Sequence, residues 1–378
     1  MRTSISLFLT ACGVLSVPLQ GQTHVAPAVA PASAAVPETA PVARSKTLED
    51  LASKLSDRFV DPDVAQRYAA MLRANDASGK YDSIADDSAF AKQVTADLQA
   101  IAFDGHLKLF PRPKDQPAGV PAGSPAASSK TVEATARLTK DIAYIRLGNF
   151  FGTGEGLAAV QKFLADNSDA KTIIFDVRTH VGGGLDEMDV IFPLIFEKPT
   201  TLVALDTRSV VDAQTGNPFG AVASIRQIAA PDTVVRREHF VTPAAGSPLA
   251  HAKVFVLTSG RTGSAGEHFV LALKRTHRAT VIGETTYGAG NYGGFVPVAG
   301  GFSAFIPVGR TFDPDTGKGW DYVGIAPQVA VPAAEAMVEA LVRSGVAKED
   351  AERLSAQYGP SPDRVTSKRK APASIAGI

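Results

Sequence analysis

Hydrophobic positions along the chain follow two different periods. From Ser45 to about residue 110 they recur at helical spacing. Leu48, Leu51, Leu55 and Phe59 form one stripe, Val64, Tyr68 and Met71 a second, and Phe90, Val94, Leu98 and Ile101 a third. Residues three and four apart share a helix face, so the pattern predicts three short amphipathic helices in a domain over 45–110. That domain ends in the turn Asp104-Gly105-His106-Leu107. From residue 131 short apolar runs alternate with helical patterns. Ile142–Leu147 and Thr172–Val177 read as strands around a helix at Gly156–Asn167, and a glycine-rich segment, Arg178-Thr-His-Val-Gly-Gly-Gly184, leads to a helix from Asp186 into Ile195. Strands are expected again at Ala279–Gly283, Gly294–Val298 and Phe302–Val308, a loop at Asp313–Tyr322 and a helix at Ala333–Arg343. Strand–helix–strand order predicts an α/β core with parallel crossovers over 131–355.

Composition narrows the classes. Thirty-eight basic and 38 acidic residues cancel, and the basic ones form no stripe, so neither nucleic acid nor an acidic membrane surface is an expected partner. Residues 1–22 read as an export signal: Arg2 is followed by an apolar run, Ile5–Val17, too short to span a bilayer. A periplasmic or secreted protein follows. Leu9-Thr10-Ala11-Cys12 also has the form of a lipidation box, which would make Cys12 a lipid anchor; ordinary cleavage would instead leave a mature chain without cysteine. Residues 23–44 and 111–130 are rich in proline and alanine and read as linkers, and 356–378 as a basic, disordered tail. No metal-ligand pattern and no cofactor motif is present, and an oligomeric state is left open.

The densest chemistry lies between Val254 and Asn291. A buried strand ends at Ser259-Gly260, a helical pattern carries Ala265, Phe269, Ala272 and Leu273 on one face, and a second strand follows. Ligands of such sheets sit beyond the strands' carboxyl ends. Ser264 stands there, at a helix start whose free N–H groups suit a developing oxyanion. Ser264-Ala-Gly-Glu267 equally fits a capping box, in which the serine only caps the helix.

Four segments in order, DVRTHVGGG, TSGRTGSAGE, RATVIGETTYGAG and GWDYVGIAPQV, resemble the C-terminal processing (tail-specific) serine peptidases. The resemblance is greatest to their branch with the tricorn core and the repeats of interphotoreceptor retinoid-binding protein. It implies a crotonase-like core of stacked ββα units behind a small three-helix domain, here without a PDZ module. It implies Ser264 as nucleophile. The lysine used by the commoner branch is replaced by Ala289, so the resemblance points to His106 as base and Asp321 as third member, where a glutamate is more usual. His268, one turn beyond Ser264, and His180 are rival bases, and Asp104 and Glu284 rival orienters. His268 is expected to point along the helix, away from Ser264. Gly182, Gly183 and Ala265 are read as oxyanion donors, because side-chain-free residues let the backbone approach a carbonyl closely. The expected activity is an exported serine peptidase that cleaves peptides or unfolded proteins through an acyl-enzyme. The competing reading is a non-catalytic binder of apolar ligands on the same fold.

Overall fold

The computed structural model describes residues 40–112 and 130–366. The export signal, Cys12, most of both linkers and the end of the basic tail lie outside them. Helices α1 (Ala40–Arg58), α2 (Pro62–Ala77) and α3 (Asp87–Ile101) form where the stripes place them. Asp61 caps α2, accepting from the N–H groups of Asp63 and Val64, and Pro62 sits at a first-turn position where no N–H is needed. Asp86 caps α3 in the same way through Ala89. All four residues of the first stripe are buried, together with Tyr68, Phe90, Val94 and Leu98. Helix α1 begins inside the segment read as linker, since Ala40-Pro-Val-Ala can open a helix as well as extend one.

The remaining elements follow in chain order: β1 (Lys108–Pro111), β2 (Val132–Thr139), β3 (Ile142–Leu147), α4 (Gly154–Asp166), β4 (Thr172–Asp176), α5 (Asp186–Ile195), β5 (Thr200–Arg208), α6 (Ser209–Thr215), β6 (Ile225–Ile228) and β7 (Val234–Val241). Next come β8 (Lys253–Thr258), α7 (Ala265–Arg275), β9 (Thr280–Gly283), β10 (Asn291–Val298), β11 (Phe302–Phe312), β12 (Val329–Ala330), α8 (Ala336–Arg343), α9 (Lys348–Tyr358) and α10 (Pro362–Val365).

Two sheets result. One has the order β12-β9-β8-β4-β3-β2, parallel from β12 to β3, with β2 antiparallel at its edge. Its strands obey a period of two. Ala143, Ile145, Ile173, Phe175, Val254 and Val256 face a core shared with α4, α5 and α7, whereas Tyr144, Ile174, Phe255 and Leu257 face α8 and α9. The other sheet is antiparallel, in the order β1-β11-β5-β7-β6, with β10 also on β11. Strand β11 pairs with β1 through Phe302–Phe305 and with β5 through Gly309–Phe312. The strand that follows His106 is thereby hydrogen-bonded into the core, and Phe302, Ala304 and Ile306 pack among the side chains of the three helices.

Two regions depart from the pattern read off the sequence. Strands β6 and β7 carry Arg226, Arg236, Arg237 and Glu238; Arg226 pairs with Glu238 and Arg236 with Asp206 across strands, Arg237 pairs with Asp212 of α6, and these charges hide the apolar alternation. The segment read as a tail from 356 includes the end of α9 and all of α10. Val365 is buried, and the Tyr358 carbonyl accepts from Arg146 at 3.0 Å.

A buried ion pair holds the start of the glycine-rich loop. Arg178 donates to Asp176 through Nε at 2.8 Å and Nη2 at 2.6 Å, and Tyr144 adds a 2.7 Å bond to the same carboxylate. Burial pushes the Asp176 carboxyl up, and the guanidinium and its hydrogen bonds outweigh this, holding it below the usual range. This contribution to stability is present above the ordinary carboxylate pKa of about 3.9 and is lost as pH falls through the depressed folded value. Arg178→Met leaves Asp176 buried and unpaired. It should cost about 3–5 kcal/mol in urea unfolding at neutral pH.

Candidate active site

Ser264 follows a loop tied down from both sides. Ser259 Oγ donates to the Arg178 carbonyl at 2.6 Å, Thr262 Oγ1 to the Val177 carbonyl at 2.8 Å, and the Gly263 N–H to the His180 carbonyl at 3.1 Å. Ser264 itself has φ 54° and ψ −121°, a left-handed conformation that costs about 1–3 kcal/mol in a residue with a Cβ. The turn persists because Glu267 fastens it. Its carboxylate is fully buried and accepts from the Ser264 N–H (2.9 Å), the Thr286 hydroxyl (2.6 Å), the Gly288 N–H (2.7 Å) and the Ala289 N–H (2.8 Å). The sequence marks Glu267 only as the far end of a capping box. Its reach to residues 286–289 is tertiary.

The two glycines of the other loop have distinct roles. A Cβ on Gly182, at φ 118°, would stand 2.9 Å from Ser264 Cβ, so only glycine fits beside the serine. The Gly182 N–H, however, donates to His180 Nδ1 at 3.1 Å. This corrects its expected place as an oxyanion donor, since a donor engaged inside the loop does not point at a substrate. Gly183 bridges Phe150 in parallel fashion: Phe150 donates to the Gly182 carbonyl and accepts from Gly184, which turns the Gly183 N–H to the opposite side. Gly183, Ala265 and Ser264 line one cavity of about 220 Å³, with Leu205, His268 and Ala289 also on its wall. No lysine lines this cavity among the described residues.

The histidines separate clearly. His180 is sealed from solvent, and burial holds it neutral, down to about 3. Its ring lies 4.2 Å from Phe150, centroid to centroid, under the α7 N-terminus, where a Cβ on Gly266 would reach within 2.6 Å of it. It is a structural residue of the loop. His268 departs from expectation by facing the Ser264 cavity. Helical side chains lean toward the N-terminus, so a residue one turn beyond Ser264 leans back toward it. His106 does not line the cavity. Its ring stacks on Phe305 at 5.1 Å, and Nδ1 is buried without a partner. It is nonetheless one layer away. A Cβ on the preceding Gly105 would stand 3.1 Å from that of Ala289, and the ring feels the carbonyl of Asn291, itself on the cavity wall. Burial lowers the His106 pKa, against an upward pull from Asp104, and keeps the ring in its basic form.

Asp104 and Asp321 lie close by. Asp104 accepts from the His106 and Leu107 N–H groups at 2.8 and 3.0 Å and from Asn291 Nδ2 at 2.9 Å. Asp321 accepts from the Gly290 and Asn291 N–H groups at 2.9 and 3.4 Å. Burial, reinforced by the Asp104 charge, pushes the Asp321 carboxyl up to about 8. The nearby Asp104 charge also raises the His106 pKa against burial. Glu284 lies away from this cluster, accepting from the Ala333 N–H at 3.0 Å.

The sequence profile described as Peptidase family S41 matches residues 141–331, just over half of the chain. The protein belongs to peptidase family S41. A second profile, the N-terminal domain of Peptidase_S41 in eukaryotic IRBP, matches residues 40–143 of this S41 chain. Among solved structures it is similar to a putative peptidase from Parabacteroides merdae (TM-score 0.54, 19% identity, covering 83% of this chain and 99% of that one). It is also similar to the photosystem II D1 C-terminal processing protease (0.50, 15%, 87% and 100%). The tricorn protease matches at 0.51 with 13% identity, over 85% of this chain and 37% of its own. At such identities these likenesses bear on the fold, the mixed α/β architecture expected from the sequence. Family membership makes this S41 protein a serine peptidase, a hydrolase.

The Asp321 carboxyl gives a direct test. A carboxyl raised in the folded state adds stability below its unfolded pKa of about 3.9 and loses it as pH rises through the folded value, about 8. Asp321→Asn keeps the acceptor oxygen and removes the titration. Denaturant unfolding of the variant should therefore show a flatter pH dependence between those limits than the parent.

Proposed function

We propose that the protein is an exported serine peptidase acting on peptides or unfolded proteins through an acyl-enzyme on Ser264. The observation that carries this is the cavity in which Ser264 meets Ala265 and Gly183. Among the described residues, neither of those two N–H groups has an acceptor. In this reading Ser264 Oγ attacks the scissile carbonyl, and these two N–H groups receive the oxyanion. His106 takes the hydroxyl proton and returns it to the leaving amine. It does so after its ring turns from Phe305 toward the Ala289 side of the cavity, a tightening common when substrate binds. Asp104 rather than Asp321 stabilises the imidazolium. Ala289 in place of a lysine supports a histidine base over a Ser-Lys dyad.

His268 is the second reading for the base, because it shares the cavity with Ser264. A fluorophosphonate should label the wild-type protein and not Ser264→Ala, whereas a binder without catalysis would stay unlabelled. His106→Ala should lower kcat/KM on a casein-type unfolded substrate by at least about 10²-fold while circular dichroism stays unchanged. Full retained turnover would transfer the role to His268. With His106 as base, the acid limb of the kcat/KM profile should fall below the ordinary histidine value of about 6.5, because burial holds that ring low.

A further inference from the structure

If His106 is the base, the second imidazole in the Ser264 cavity needs a role of its own. His268 Nε2 lies 2.9 Å from His239 Nδ1, and His239 Nε2 lies 3.0 Å from Asp189 Oδ1. Ser224 Oγ donates to the other Asp189 oxygen at 2.8 Å. His239 is fully buried and His268 is 5% exposed. With His239 neutral, the chain of contacts fixes both tautomers. A carboxylate only accepts, so His239 carries its proton on Nε2 and offers a lone pair at Nδ1. His268 must then donate from Nε2, which leaves its own Nδ1 as an acceptor. Among the described residues nothing donates to that Nδ1, and it is absent from the fully buried atoms that lack partners. It therefore opens toward the cavity that His268 lines.

Leu185, Leu205, Phe219, Tyr292 and Trp320 give that cavity apolar wall beside the polar Ser264, Asn291 and Thr311, and none of its described lining side chains is acidic, lysine or arginine. At about 220 Å³ it exceeds the roughly 150 Å³ known to hold one benzene ring. Burial keeps His268 well below its usual pKa, hence neutral. A charged side chain entering here would lose its hydration without a counter-charge on the wall.

We propose that His268 is a specificity residue: its Nδ1 lone pair, oriented through His239 by Asp189, selects an uncharged aromatic substrate side chain that ends in a hydrogen-bond donor, tyrosine being the best fit. The assignment of that side chain to a peptide rests on the peptidase reading, but the recognition itself does not require turnover.

The test therefore uses binding to the full-length protein, with p-cresol, toluene and 4-methylanisole titrated by NMR. The cresol hydroxyl can donate, toluene has no polar atom, and the anisole oxygen only accepts. One hydrogen bond of about 0.5–1.5 kcal/mol should make p-cresol bind about 2–13-fold more tightly than toluene, with 4-methylanisole no better than toluene. His268→Leu should bring the cresol-to-toluene ratio to about one. Because that variant leaves His239 unpaired and could fail to fold, ¹⁵N spectra of wild type and Asp189→Asn serve as the second measurement. Wild-type His268 should carry its proton on Nε2. In Asp189→Asn the introduced side-chain amide can donate to His239 Nε2, which reverses both rings, moves the His268 proton to Nδ1 and favours the anisole. Equal affinities for cresol and toluene, an advantage that survives His268→Leu, a wild-type Nδ1 proton, or no binding of any probe would each overturn the proposal. Absence of fluorophosphonate labelling with the binding preference intact would instead overturn only the peptidase reading.

Discussion

The carboxylate of Glu267 is the interaction on which the site depends. It is sealed from water and receives four hydrogen bonds, one from the strained Ser264 and three from residues 286–289. Burial raises its pKa while each of those bonds lowers it, so the side chain sits between a costly isolated charge and a fully satisfied one. Hydrogen bonds inside a low-dielectric site are stronger than in water, and an unmade one is correspondingly expensive. The same group thus pins a left-handed serine to the loop that carries Ala289 and Asn291. Without it, neither the serine's conformation nor the cavity wall would be defined.

Around that clamp, the two sheets divide the work. The parallel sheet delivers two loops from the carboxyl ends of β4 and β8. Side chains of Ser259 and Thr262 then lock one loop onto carbonyls of the other. The antiparallel sheet supplies the opposite wall through Leu205 of β5, Asn291–Gly293 of β10 and Thr311 of β11, and β11 also draws in the helical part by pairing with the strand that follows His106. Two clusters of polar groups flank the cavity as a result. Asp104, His106 and Asp321 lie behind Asn291, and His268, His239 and Asp189 run from α7 through β7 to α5.

Much of this is legible in the chain. Apolar spacing at Leu48–Phe59 and Phe90–Ile101 marks helices because a continuous stripe can be buried in only one periodicity, and the strands flanking α7 announce themselves by unbroken apolar runs. Strands β6 and β7 do not, because cross-strand ion pairs put Arg and Glu where alternation would show. His239, in that unreadable stretch, escapes sequence reasoning altogether; its only signal is a histidine within a charged run. Gly182 is misread as a donor because a glycine permits close approach without saying which way its N–H points.

By itself, then, the sequence determined the local elements, the family motifs around Ser264 and the loss of lysine at residue 289, since each is a matter of residue type at short spacing. Only the tertiary structure decided which groups meet: that His180 is a buried prop, that the Asp321 carboxyl is pushed up by burial beside Asp104, and that His268 faces the cavity with His239 and Asp189 behind it. Those outcomes depend on burial and on partners 29 and 50 residues away. Desolvation and the direction of a hydrogen bond arise only when such distant segments are packed together.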